Sequence, residues 1–204
     1  MHGFAKVFYT QAPQPKGKPM SKPKIAVIVG SLSKQSINRK LGEGLAKLMQ
    51  DQAEFEFIDI GHLPLYNRDF DNMPDFKPFE DIKPQIRGCQ GVLFITPEYN
   101  RSIPSALKNV LDGLSRPYGK SVWAGIPAAV IGSSPGGAAS AMAQQHLRNV
   151  LVSLDMPTMA QPEGFVRWSD TLLDADGNIG AASHDFLSKF MSKFLAWVQL
   201  NSKK

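Results

Sequence analysis

The sequence predicts a doubly wound α/β domain, with five parallel strands in one sheet and helices on both faces. Short apolar, β-branched runs such as 25–29 and 92–96 lack polar alternation, as strands covered on both faces do. These runs take turns with stretches whose apolar residues recur at helical spacing, Leu41, Leu45 and Leu48 among them. Three of the strands run directly into polar loops, which is where such sheets bind ligands.

Residues 1–19 hold two glycines, three prolines and no sustained period. They read as an N-terminal extension, disordered or a remnant of expression, ahead of an expected natural start at Met20 and a single domain over 20–204. They lack the long apolar region of a secretory signal. The first strand, 25–29, stops at Gly30, and a hydroxyl-rich loop leads to a helix from about Ile37 to Gln50, with Ser36 placed to cap it. Residues 55–60 form the second strand. The connection 61–77 is irregular because prolines and aspartates crowd it. A helix over 79–88 and a third strand over 92–96 follow. The loop 97–102 precedes a helix starting at Ser102 or Pro104, with Leu107, Val110, Leu111 and Leu114 on one face. Strand four spans 126–131, and the polar loop 132–137 opens an alanine-rich helix to about Leu154. Strand five covers 158–166, a turn 174–178, and an amphipathic helix 183–200 closes the chain. Strand order 2-1-3-4-5 sets loops 31–38 and 97–101 on either side of one crevice, with 132–137 next along the edge.

The composition narrows the function. At 204 residues the chain suits one α/β domain, and no apolar run approaches membrane-spanning length. The single cysteine, Cys89, precludes an internal disulfide and fits a reducing cytoplasm; next to a buried strand it reads as an inert core thiol. The net charge of +5 comes largely from Lys6, Lys16 and Lys18, leaving 20 basic against 18 acidic residues beyond position 19. No basic run carries interleaved aromatics, so neither nucleic acid nor a membrane is a predicted partner.

The first loop looks like a phosphate site. Unpaired N–H groups at a helix start attract anions, and Ser31, Ser33, Ser36 and Asn38 add donors beside Lys34 and Arg39. A dinucleotide fits poorly, because Leu32 and Gln35 stand where glycines must let the backbone approach a pyrophosphate. Asp59 then reads as a solvated strand-end carboxylate. Gly119-Lys120-Ser121 mimics only the tail of a P-loop, since position 114 is Leu. A single mononucleotide phosphate remains.

The segments G-S-L-x-x-x-S-x-N-R from Gly30, T-P-E-Y-N at 96–100 and S-S-x-G from Ser133 resemble the NADPH-dependent FMN reductase family. Within it they are most similar to the bacterial chromate and quinone reductases of flavodoxin-like fold. The resemblance covers about 24–197. It implies bound FMN that takes hydride at N5 from NADH or NADPH and reduces quinones or chromate. It places Ser31, Ser36, Ile37 and Asn38 around the FMN phosphate, with Ser33 standing where many relatives have arginine. Lys34 and Arg39 are the two candidates to replace that charge. Pro97, Glu98, Tyr99 and Asn100 would line the isoalloxazine ring, and Ser133, Ser134 and Gly136 its other edge. Tyr99 and Arg101 would meet substrate on the open face; a plain surface arginine or a salt bridge between subunits accounts for Arg101 equally well. No side chain is needed as acid or base, and the resemblance implies a homodimer or homotetramer, in keeping with apolar residues expected on the outer faces of the third and fourth helices.

Two rivals share parts of this pattern. A flavodoxin-type electron carrier has the same fold and cofactor, but such carriers use a threonine-rich loop and an acidic surface. A serine hydrolase would use Ser134 in Gly132-Ser133-Ser134-Pro135-Gly136 with Asp155 or Asp170 and His184; Pro135 cannot donate the N–H its oxyanion hole needs. His62 reads as a loop residue and His146 as an interface or packing residue. The turn 174–178 has too few ligands for calcium, and no metal site is predicted.

Overall fold

The computed structural model describes residues 22–73 and 77–202, so the expected extension over 1–19 lies outside the described residues. One sheet holds β1 (Lys24–Val29), β2 (Glu54–Phe57), β3 (Gly91–Ile95), β4 (Ala128–Ser134) and β5 (Gly164–Arg167). Every pairing is parallel and the order is β2-β1-β3-β4-β5, as the sequence predicts. The helices are α1 (Ile37–Leu48), α2 (Lys83–Arg87), α3 (Ser105–Leu114), α4 (Ala141–Ser153) and α5 (Ala181–Asn201).

Alternate residues of the central strands feed two separate cores. Ile25, Val27, Leu93 and Ile95 pack with Leu41 and Leu45 of α1 and with Leu187, Phe190 and Phe194 of α5. Ala26, Ile28, Val92 and Phe94 pack on the other side with Leu107, Val110 and Leu111 of α3 and Leu147 and Leu151 of α4. Each fully buried large side chain contributes about 1.5–3 kcal/mol, so these two layers hold the helices to the sheet.

The departures from the predicted elements have local causes. β4 runs on through Gly132, Ser133 and Ser134, which composition marks as loop, because β5 pairs with them: Ser133 sits opposite Val166 and Ser134 opposite Arg167. β5 begins at Gly164 rather than near Thr158, since Pro157 and Pro162 have no N–H for a ladder. Thr158 keeps a lone bridge to Ala128. β2 ends at Phe57, three residues short of the expected Ile60. α2 shrinks to five residues because Pro84 has no N–H to offer the carbonyl of Glu80. The connection after β2 contains a 3-10 turn at Arg68–Asn72, capped by the Asn67 side chain accepting the N–H of Asp69. The expected apolar face of α3 is buried against the sheet, and of the two helices only α4 shows a large exposed apolar residue, Val152.

Cys89, just before β3, is buried. Burial and the nearby Glu56 carboxylate push its thiol up to about 11.

Candidate functional site

The carboxyl ends of β1, β3 and β4 open into one cleft of about 260 Å³. The first wall is the loop 31–36 and the start of α1. Ser36 caps that helix, its Oγ accepting the N–H of Arg39 at 3.1 Å. Ser31 Oγ and Ser33 Oγ accept the N–H groups of Ser33 and Gln35 and fold the loop on itself. Among the described residues no acceptor stands opposite the N–H of Ile37 or Asn38, so the helix start presents two free donors to the cleft. Of the two candidate cations, Arg39 is engaged elsewhere: its Nε donates to Glu43 at 2.7 Å and its guanidinium lies 4.2 Å from the Phe57 ring centroid. Lys34 is exposed and forms no ion pair among the described residues.

The second wall follows β3. Thr96 and Pro97 are buried. Tyr99 and Ser102 exchange both backbone hydrogen bonds, 2.9 and 3.0 Å, around Asn100 and Arg101 at φ 50° and 65°. Two consecutive left-handed residues make the primed two-residue turn, and an arginine there is held by its neighbours rather than by preference. Tyr99 is half exposed at the mouth. Glu98 turns inward: one oxygen accepts the N–H groups of Met142 and Ala143, and the other pairs with Arg101 at 3.0 Å. Glu98 thereby caps α4 from another element, whose own N-cap Ser140 makes no side-chain cap bond. His146 of α4, exposed, bonds Ser102 Oγ at 3.0 Å.

The third wall is the end of β4. The Asn38 amide clamps it, Nδ2 donating to the Ser133 carbonyl at 2.9 Å while Oδ1 accepts the Ser133 N–H at 2.8 Å. What Asn38 offers a ligand is therefore its backbone N–H, not its side chain. Ser133 Oγ is buried with no hydrogen-bond partner. Gly132 has no room for a side chain, because a Cβ would strike the Thr96 carbonyl.

Ten of the twelve residues assigned to the cofactor line this one cleft: Ser31, Ser33, Ser36, Ile37, Asn38, Pro97, Glu98, Tyr99, Ser133 and Ser134. Asn100 and Gly136 lie in the adjoining loops outside its lining, as does Arg101, 73% exposed at its side chain. Gln35 and Pro135 also line it. Nothing in their residue type marks them; only their place in the two loops could have. The hydrolase reading fails on position. His184 lies on α5 beside Asp185 and Ser188, and Ser134 Oγ accepts the N–H of Gly136. Free N–H groups at the start of α1, set among the serines of the loop 31–36, suit a terminal phosphate, and the cleft fits FMN on that ground.

The model of the NADPH-dependent FMN reductase family matches residues 23–171. The chain is 47% identical to a 2-hydroxy-1,4-benzoquinone reductase of Burkholderia over 178 residues, 86% of this chain and 96% of that protein. It is 42% identical to a quinone reductase of Pseudomonas putida, covering 87% of this chain and 95% of the other. The solved structure of FerB, a flavoenzyme NAD(P)H:acceptor oxidoreductase from Paracoccus denitrificans, superposes with a TM-score of 0.85 at 40% identity, over 89% of this chain and all of that one. A flavodoxin from Pseudomonas aeruginosa, at 16% identity and a TM-score of 0.56, shares the fold. With the three strand ends gathered on one cleft, these matches establish that the chain belongs to the NADPH-dependent FMN reductase family, an oxidoreductase that uses FMN as cofactor and NAD(P)H as reductant.

Proposed function

We propose that this enzyme is a quinone reductase whose cleft holds FMN by its phosphate at the start of α1 and by its ring between the other two walls. The observation that carries this reading is the pair of unmatched N–H groups, of Ile37 and Asn38, set among Ser31, Ser33 and Ser36 in the lining of one cleft that also takes in the ends of β3 and β4. Ser31, Ser33 and Ser36 direct hydroxyls to the phosphate, and Lys34 supplies the cation. Each hydrogen bond to a charged group is worth about 1.5–3 kcal/mol, enough in sum to retain the cofactor without a metal.

FMN, once bound, accepts hydride from NADPH or NADH and passes electrons to the acceptor. The chain's part is placement. Pro97, Glu98, Tyr99 and Asn100 form the ring's floor, with the peptide groups of the tight turn fixed by the Tyr99–Ser102 pair. Ser133, Ser134 and Gly136 border the opposite edge. Tyr99 and Arg101 stand at the exposed mouth, where an apolar ring can rest on one and an anion on the other. The names of the relatives point to quinones as acceptors. Chromate, a small dianion, is the second acceptor that Arg101 suits. We further propose a cytoplasmic enzyme assembled as a homodimer or homotetramer.

The test begins with colour. Purified protein should be yellow, or take up FMN, and should bleach when NADPH is added without air. It should then consume NADPH rapidly with benzoquinone. A protein that binds FMN but turns over no quinone sinks the acceptor assignment. Sedimentation at micromolar concentration reads the assembly, and a monomer there refutes that part.

A further inference from the structure

The Asn38–Ser133 contact joins residues 95 apart in sequence, and both partners are buried. Among the described residues its two hydrogen bonds are the only ones running directly from the first wall of the cleft to the third. They link the helix start that faces the phosphate to the strand end that faces the ring. An amide opposite a peptide group satisfies both of its polar atoms at once. Aspartate would set an oxygen against the Ser133 carbonyl, leucine would leave two buried peptide groups unpaired, and glutamine is one carbon too long. On the strand side of the clamp, Ser133 and Ser134 line the same cleft as Ile37 and Asn38 on the helix side.

We infer that Asn38 is a positioning residue that fixes the span between the two ends of the cleft, and that this span makes the site prefer FMN to riboflavin, the same flavin without its phosphate. The inference rests on the FMN reading of the cleft. A ligand gripped at both ends gains from the second grip only when the distance between grips is already correct. With the clamp open, the phosphate contacts survive one by one but no longer add to the ring contacts. Riboflavin uses the ring contacts alone and is indifferent to the clamp.

The test uses full-length protein carrying its flavin, wild type against Asn38→Ala and the isosteric Asn38→Asp. Fluorescence of flavin released on dilution gives the FMN dissociation constant, and competition with bound FMN gives that of riboflavin. The expected result is that both variants bind FMN roughly tenfold more weakly, the equivalent of one net buried hydrogen bond lost. Riboflavin binding should change by less than about twofold, since it spans no second grip. Asn38→Asp should also regain FMN affinity relative to wild type as the pH is lowered, because a protonated carboxyl presents one donor and one acceptor as the amide does. Should Asn38→Ala not fold, the aspartate variant carries the test. Equal weakening of both flavins, or weakening of neither, overturns the inference and leaves the flavin site intact. A wild-type protein that binds neither flavin overturns the flavin site itself.

Discussion

Glu98 accepts the backbone N–H of Met142 at 3.1 Å, so a carboxylate from the loop after β3 caps a helix that begins after β4. The same carboxylate takes the Ala143 N–H and holds Arg101. Truncation, Glu98→Ala, should cost about 1–2 kcal/mol, as loss of a helix N-cap does. Glu98→Gln retains an accepting oxygen but loses the charge facing the helix dipole, and should cost about half as much. Urea unfolding of the two variants measures both. Equal stability of wild type and Glu98→Ala would refute the cap.

Arg101 projects into solvent and its ion pair contributes little to stability. Arg101→Ala should therefore unfold at the wild-type urea concentration. Its KM for chromate should rise several-fold while that for an uncharged quinone holds. Unchanged KM values for both acceptors would remove Arg101 from the site.

Gly132 is needed for space. Its missing Cβ would collide with the Thr96 carbonyl and crowd Ser140 Oγ. Gly132→Ala must push β4 away from the end of β3, at about 3 kcal/mol, the upper range for overpacking. The expected outcome is poor soluble yield and a much lower unfolding midpoint, with bound flavin lost. A variant of wild-type stability would show that the strands part without strain.

The turn after Leu173 adds one acid-sensitive contact at the surface. Bonds from the Asn178 side chain, then from the Asn178 and Asp176 N–H groups, hold the Asp174 carboxyl below its usual range. A depressed carboxyl adds stability above its unfolded value of about 3.9 and loses it as the pH falls through the folded one. Stability should thus decline below about pH 4, and Asp174→Asn should flatten that decline. Urea midpoints across the acid range test it; identical slopes would exclude Asp174 as a source.

The sheet order and the three loops were legible because central strands buried on both faces can contain little but apolar residues, and Ile25, Val27, Phe94 and Val130 announce themselves. The edges were not. Ser133 and Ser134 have loop chemistry, and only the distant β5 makes them strand. Pro84 and Pro162 trimmed elements that the apolar pattern extended. At the site, residue types pointed to loops that share one cleft but not to what each side chain does there. Nothing in the residue types shows that Ser133 occupies the Asn38 side-chain amide or that Met142 and Ala143 hold the Glu98 carboxylate. Both depend on partners more than 40 positions away, which a local pattern does not contain.

The burial of Cys89 has a practical consequence. The chain's sole sulfhydryl is shielded and protonated at neutral pH, so maleimide chemistry should pass it by. A cysteine introduced at Tyr118, 92% exposed, would then be the single labelling point. A fluorophore or spin label attached there could report on the protein in solution without first mutating the native thiol.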